Sequence, residues 1–351
     1  IYPPDSGGPA THAKRQFEGF PELGFEVRLV ALSLVRKFPM GIRHLIYTGQ
    51  LMAHAASCDL IYAHDGLGVG LPALFVAKLF RKKILIRVGG DIPWERVAEQ
   101  GRTSLSMNEW YEARLFNGSL SYAVSKFVLQ RVHALIVPSS LLLNLYSKYY
   151  SVQKSKISVV PNPISVFPKD KVSEQSQTII FASRLVAYKN LPFVLKAMAK
   201  VLPNHSSVQF IIMGDGPERV SLEQLTQDLG IGDKIIFTGS VSQEKVVEYT
   251  KHCLFGIAPA LTEFNPNYIL ECIAYGKPFL MSRENGLPFN IPQQFLFDNR
   301  NSSELESRLE YMLSVEGYRK AKKEVSGINF QMSWDDVLKR NEEIIRSTIH
   351  A

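Results

Sequence analysis

Thr178-Ile-Ile-Phe-Ala-Ser-Arg-Leu-Val-Ala-Tyr-Lys189-Asn-Leu-Pro-Phe-Val-Leu-Lys-Ala-Met198 reads as a strand that turns through a short polar segment into a helix from about Leu191. The run 178–182 is apolar after Thr178 and does not alternate, as expected of a parallel strand covered on both faces. Outward from it, similar runs recur between helical stretches. Glu26–Leu32, Leu60–Ala63, Lys83–Val88, Ala134–Val137 and Ile157–Val160 are strand candidates in the first half; Val208–Met213, Lys234–Thr238, Leu254–Ala258, Pro278–Met281 and Phe295–Phe297 follow in the second. Two such series predict an α/β chain of two Rossmann-like, doubly wound domains facing across a cleft. The expected bounds are 1–163 for the first domain, 164–176 for a polar linker and 177–327 for the second domain. A closing helical segment, 328–351, is expected to pack back toward the first domain, with Trp334–Ile349 amphipathic.

At 351 residues, 46% hydrophobic and 21% charged, the chain is long enough for two domains, each with its own core. It opens at Ile1 in a loop, so the strand that would begin the first sheet is expected to be missing. Cys58, Cys253 and Cys272 are too few and too scattered for a disulfide framework or a zinc site, and they read as inert thiols in a reducing cytoplasm. Charge is uneven. Residues 1–163 hold 19 Lys+Arg against 11 Asp+Glu, whereas the remainder holds 21 against 22. The basic half suits an anionic membrane surface or a phosphate-bearing acceptor, and equally a solvated face with no partner. No nucleic-acid recognition motif accompanies it.

Candidate site residues gather at strand ends. Arg184 and Lys189 follow 178–182 beside a helix start, where a guanidinium fork and an ammonium favour a diphosphate. Further on, Leu261-Thr-Glu-Phe-Asn-Pro-Asn-Tyr-Ile-Leu-Glu271 places Glu263 on a loop and Glu271 in the second turn of a helix. Asn265 is expected as that helix's N-cap and Pro266 as its first residue. Apolar neighbours around Glu271 predict a buried carboxylate in need of a partner.

Met213-Gly-Asp-Gly-Pro217 ends a strand; its glycines, Gly214 and Gly216, admit a ligand's close approach or simply turn the chain. Phe237-Thr-Gly-Ser-Val241 is a similar loop. In the first half, Gly7-Gly8 could cradle an anion or turn the chain. His12 and His64 flank strand ends, where His64 could equally be a satisfied buried imidazole. Asp91, in Gly89-Gly90-Asp91, is positioned to meet a sugar hydroxyl. The chain has no D-x-D pair, H-E-x-x-H, G-x-S-x-G or Walker Gly-Lys-Ser/Thr sequence.

In their order and spacing, the opening Tyr2-Pro-Pro-Asp-Ser-Gly-Gly-Pro9, Val160-Pro-Asn-Pro163, Ser183–Asn190, Gly214-Asp-Gly-Pro217 and the pair Glu263/Glu271 resemble the GT-B-fold retaining glycosyltransferases of family 4, the glycosyl transferases group 1. The resemblance covers nearly the whole chain. It implies transfer of a sugar from a nucleotide-diphosphate sugar to a glycan or lipid-linked acceptor, without a metal or other cofactor. Arg184 and Lys189 would hold the diphosphate, assisted by the helix start at Asn265, Pro266, Asn267 and Tyr268. Glu271 would bind the ribose and Glu263 the transferred sugar. Gly8, Gly214, Gly216 and Val241 would lie by the donor, with His12 and His64 on the acceptor side. Many members carry a His where this chain has Gly89-Gly90-Asp91, so Asp91 is expected to substitute for it, and Asp91→Asn to cost transfer heavily. A cytoplasmic enzyme, peripheral on the inner membrane face, fits this reading. A sugar-nucleotide epimerase and a non-catalytic sugar-nucleotide or glycan-binding protein remain the alternatives.

Overall fold

The computed structural model describes residue 2 and residues 8–35, 37–164 and 177–351. The expected linker lies outside the described residues apart from Ile164, as does Gly7. The chain divides into two compact units, Ile1–Trp94 with Trp110–Pro163 and Met332–Ala351, and Glu95–Glu109 with Ile164–Gln331. Both are parallel-sheet α/β units.

In the first unit and the stretch it brackets, the order is α1 (Gly8–Gly19), α2 (Met40–Ala55), β1 (Leu60–His64), α3 (Gly70–Leu79), β2 (Lys83–Arg87), α4 (Ile92–Glu99), α5 (Met107–Glu112), α6 (Leu120–Leu129), β3 (Ala134–Val137), α7 (Ser140–Lys148) and β4 (Ile157–Val159). The strands pair in chain order, β1-β2-β3-β4, and all are parallel. Ile84, Leu85 and Ile86 of β2 are buried, which explains their uninterrupted apolar run. The expected strand Glu26–Leu32 is not formed. Its side chains vary in exposure, but the backbone joins no ladder, and residues Leu32–Val35 close into a 3-10 turn.

The second unit runs β5 (Thr178–Ala182), α8 (Leu191–Val201), β6 (Gln209–Met213), α9 (Arg219–Asp228), β7 (Ile235–Gly239), α10 (Gln243–His252), β8 (Phe255–Ala258), α11 (Asn267–Ala274), β9 (Phe279–Ser282), β10 (Leu296–Phe297), α12 (Ser302–Leu313) and α13 (Val315–Ser326). Its sheet order is β10-β9-β8-β5-β6-β7. The chain therefore works outward from β5 to β7, then returns to lay β8 on the other side of β5. That reversal is the topological switch point at which open parallel sheets leave a crevice.

The final helix, α14 (Trp334–His350), belongs to the first unit. Ser333 and Asp336 form its capping box. Its buried Asn341 accepts from Gln16 (3.0 Å) and from the Tyr62 hydroxyl (2.7 Å). Residues 95–109, expected in the first domain, cluster with the second unit instead. Ser106 Oγ and Asn108 N donate to the Glu284 carboxylate, Met107 N donates to Thr262 Oγ1, and Arg300 pairs with Glu109. Among the described residues, no helix is long and apolar enough to cross a membrane.

Candidate active site

The switch point brings the loops after β5 and β8 together. Leu261 N donates to Tyr188 O across it (2.9 Å), and Lys189 Nζ lies 2.8 Å from Glu263 Oε1. Their side chains are only 12% and 8% exposed, so this ion pair is largely removed from water. A single 3-10 turn, Ala187–Lys189, presents the lysine, and Asn190 (φ 54°) bends left-handed directly into α8. Burial disfavours the Lys189 ammonium, but the Glu263 carboxylate and the Tyr188 ring outweigh it and hold the group above its ordinary pKa. Glu263 is fixed from behind. Its N–H donates to Glu284 O (3.0 Å), and its carbonyl accepts from Gly286 N (2.7 Å). The Glu284 carboxylate also accepts from Thr262 Oγ1 at 2.7 Å. Nothing in the local sequence around Glu284 signals this bracing role, because its partners are distant in the chain.

Arg184 lies at the carboxyl end of β5 but does not join the Lys189–Glu263 pair. It is 63% exposed and pairs with Glu99 at 2.6 Å. Burial lowers its pKa, while Tyr188 and Glu99 outweigh that effect and raise it. Gly214 and Gly216 meet the protein's own backbone. A Cβ on Gly214 (φ 139°) would fall 1.9 Å from Ser183 O, and one on Gly216 would fall 2.3 Å from Leu185 O. These glycines let the loops after β5 and β6 pass each other. Val241 is half-buried against the second unit's core.

Helix α11 begins at Asn267, one residue later than expected, with Pro266 as its cap. Proline has no N–H to contribute, and its extended ψ of 107° keeps it outside the helix while its carbonyl accepts the first helical bonds. Asn265 is buried and Asn267 exposed. The Tyr268 phenol turns into the core, where it donates to Ile180 O and packs against Gly256, leaving the backbone as the part of this residue that faces the helix start.

Glu271 is 4% exposed. Gln243 Nε2, from the first turn of α10, donates to its Oε1, while Oε2 is buried with no partner. Burial pushes this carboxyl up to about 7, and the Gln243 bond only partly opposes the shift. A buried carboxylate oxygen without a donor is positioned to accept a ligand hydroxyl. Cys253 and Cys272 are buried and unpaired, and burial holds both thiols above their ordinary pKa. Among the described residues, no group of three or more His, Cys, Asp or Glu could hold a metal ion.

Asp91 differs most from its expected role. It is fully buried in the first unit; its Oδ1 contacts Tyr150 Oη (2.5 Å), while its Oδ2 contacts Tyr111 Oη (2.9 Å) and accepts from Trp94 N (3.1 Å), capping α4. Tyr111 and Tyr150 are also 2.7 Å apart. Three oxygen–oxygen contacts with two phenolic hydrogens close into a ring of donors only when the carboxyl carries a proton. Burial raises Asp91 to about 6, consistent with that proton, while Tyr150, Trp94 N and Tyr111 oppose the shift. Asp91 therefore braces the first unit, with no oxygen left over for a sugar hydroxyl.

Of the other first-unit candidates, Gly8 starts α1. His12 is buried against Arg87 and Asn162, with its ring edge-on to Trp334. His64 stacks on Tyr62 at 4.9 Å; burial and the Arg87 guanidinium push it down to about 3, so it is a neutral imidazole.

The two units have the architecture of the GT-B fold. The chain superposes on Anabaena HepE in complex with UDP-glucose with a TM-score of 0.73, covering 99% of this chain and 98% of that one at 15% identity. Sucrose-phosphate synthase from Thermosynechococcus elongatus gives a TM-score of 0.73, covering 98% and 94% at 16% identity. Residues 165–325 match the family described as glycosyl transferases group 1. It is 25% identical over 205 residues to the gpi3 subunit of phosphatidylinositol N-acetylglucosaminyltransferase from Schizosaccharomyces pombe, spanning 55% of this chain and 44% of that protein. It is 27% identical over 175 residues to alpha-monoglucosyldiacylglycerol synthase from Streptococcus pneumoniae, spanning 46% and 40%. The matched region thus covers under half the length of these relatives.

Proposed function

We propose that the protein is a retaining glycosyltransferase that moves a sugar from a nucleotide-diphosphate sugar to a lipid-linked or glycan acceptor without a metal. The observation that carries this reading is the buried Lys189–Glu263 pair at the switch point, within the region that matches the glycosyl transferases group 1. Arg184 and Lys189 bind the diphosphate, and the start of α11 adds its dipole. Glu263 orients the transferred sugar, and Glu271 takes the ribose hydroxyls on its unpartnered oxygen. Leaving-group charge is met by these fixed cations, so catalysis rests on positioning and electrostatics. An epimerase would use the same donor groups but release its product without an acceptor.

UDP, a ligand of the Anabaena neighbour, is the probe for the donor site. Isothermal titration should show UDP binding that is lost in Glu271→Ala; equal binding by both proteins would defeat the ribose assignment. A carboxyl raised to about 7 is largely protonated in the free protein below that pH. Hydroxyl donors favour its charged form, so UDP affinity should rise as pH climbs through 7. The rise should be flatter in Glu271→Gln, which shares UDP's own titration with the wild type.

The apolar surface of the first unit supports a lipid acceptor. Leu71, Phe75 and Leu79 form an exposed stripe along α3, with Lys78, Arg81 and Lys82 beside it and Phe127 on the neighbouring α6. Arg131 lies over the Phe127 ring at 3.9 Å. Such an apolar face edged by cations suits an anionic bilayer. The protein should float with vesicles containing phosphatidylglycerol and much less with pure phosphatidylcholine, and Phe75→Ser/Leu79→Ser should abolish flotation. Equal recovery with both vesicle types would remove the charge argument.

A further inference from the structure

Arg87 ends β2 as a buried guanidinium, 5% exposed, with no carboxylate partner among the described residues. Its Nη2 donates to Asn162 Oδ1 (3.1 Å) and lies 3.3 Å from His12 Nε2, while its Nη1 is buried without a partner. His12, 4% exposed, has an equally unpartnered Nδ1. His12 Nε2 cannot serve both Arg87 and Asn162 at once. A proton on His12 Nε2 serves Asn162 Oδ1, 3.1 Å away, but points a second donor at the guanidinium. A bare Nε2 accepts from Arg87 but sets its lone pair against the Asn162 oxygen. The imidazole offers no negative charge in either form, and burial and Arg87 keep it neutral. At the end of the adjacent strand, Ser139 Oγ after β3 is also buried and unpartnered. Half-buried His64 lies at the end of β1, the strand beside β2, so the cluster reaches toward the surface.

A buried cation that meets no counter-charge among the described residues is unfavourable unless something compensates it. The carboxyl ends of parallel strands are where ligands of such sheets sit. We propose that Arg87, held by His12 and Asn162, is an anion subsite of the first unit that takes a phosphate-class oxyanion carried by the acceptor. The guanidinium supplies a two-pronged donor matched to phosphate oxygens. The inference rests on the transferase reading for the word acceptor, but the anion site itself does not.

The test is thermal unfolding of the wild type, Arg87→Met, Arg87→Lys and Lys189→Ala, at constant ionic strength. Chloride would be replaced by inorganic phosphate in one arm and supplemented with dihexanoyl phosphatidic acid in a second, with UDP in a third. The expected result is stabilisation by phosphate or the short lipid that survives in Lys189→Ala, weakens in Arg87→Lys and is lost in Arg87→Met. Stabilisation by the lipid alone would identify a headgroup as the ligand; stabilisation by both would identify the bare phosphate group. Without ligand, Arg87→Met should unfold no lower than the wild type, since it removes an unpaired charge. If Arg87→Met fails to fold, the Arg87→Lys response decides. No stabilisation of the wild type, or stabilisation that persists unchanged in the Arg87 variants, would overturn the proposal. The UDP arm reads the donor site separately, so its failure would defeat the transferase reading and leave the anion site standing.

Discussion

Lys189→Ala is expected to lower stability by about 3–5 kcal/mol, the usual cost of leaving one member of a buried ion pair alone, and to abolish transfer. The loss follows from geometry. Glu263 is 8% exposed, its backbone is pinned on both sides by residues 284–286, and its Oε1 has Lys189 as its cation. Without the ammonium, a fixed carboxylate remains in a site that water hardly reaches. The double variant Lys189→Met/Glu263→Leu removes both charges and should regain most of that stability, because an apolar pair of similar size often serves as well. It should not regain transfer, since the diphosphate would have lost a cation and the sugar its carboxylate. Denaturant unfolding and a transfer assay on the three proteins separate these effects. A single variant within about 1 kcal/mol of the wild type would show that the pair behaves as an exposed one.

The second large effect is at Asp91, and it runs against the sequence expectation. Asp91→Ala should cost about 2–4 kcal/mol, because Tyr111, Tyr150 and Trp94 N lose their shared hydrogen-bond partner in the core. Asp91→Asn should be nearly silent at about pH 4, where the carboxyl is protonated. Its amide nitrogen can stand in for the protonated Oδ1 toward Tyr150, and its oxygen can accept from Tyr111 and Trp94. The ionisable carboxyl also gives a signed pH effect. With a folded pKa of about 6 against 3.8 in the unfolded chain, the native state holds a proton that the unfolded state has released. Stability from this group is therefore complete below about pH 4 and lost as pH rises through 6, roughly 3 kcal/mol in all. Unfolding of the wild type and Asp91→Asn between pH 4 and 8 should differ by that slope. Collapse of transfer in a fully stable Asp91→Asn would return Asp91 to the active site.

The contrast between these two sites explains what was legible. Lys189 and Glu263 could be read because each follows an apolar run at the carboxyl end of a strand, and both strands came out within a residue or two of their expected bounds. Asp91 follows a strand in the same way, yet its neighbours in space, Tyr111 and Tyr150, lie 20 and 59 residues further along. No local pattern carries that distance. Arg87 could have been suspected, as a charge closing a run of buried residues, but whether it had a counter-charge depended on His12 and Asn162, each 75 residues away. The expected strand Glu26–Leu32 failed for a related reason: an extended segment becomes a strand only if a neighbour takes its hydrogen bonds.

The sequence by itself determined the class of fold, the burial of Glu271 and most of the strands. These follow from the period and continuity of apolar residues and from Pro and Gly at element ends, which are short-range properties of the chain. Tertiary structure alone decided which charges met. It placed β8 beside β5, so that Lys189 found Glu263; it drew residues 95–109 to the second unit through Glu284; and it enclosed Asp91 while leaving Arg87 without a counter-charge among the described residues. Electrostatic partnership acts through space over a few ångströms, and only the folded path of the backbone fixes which distant residues come that close.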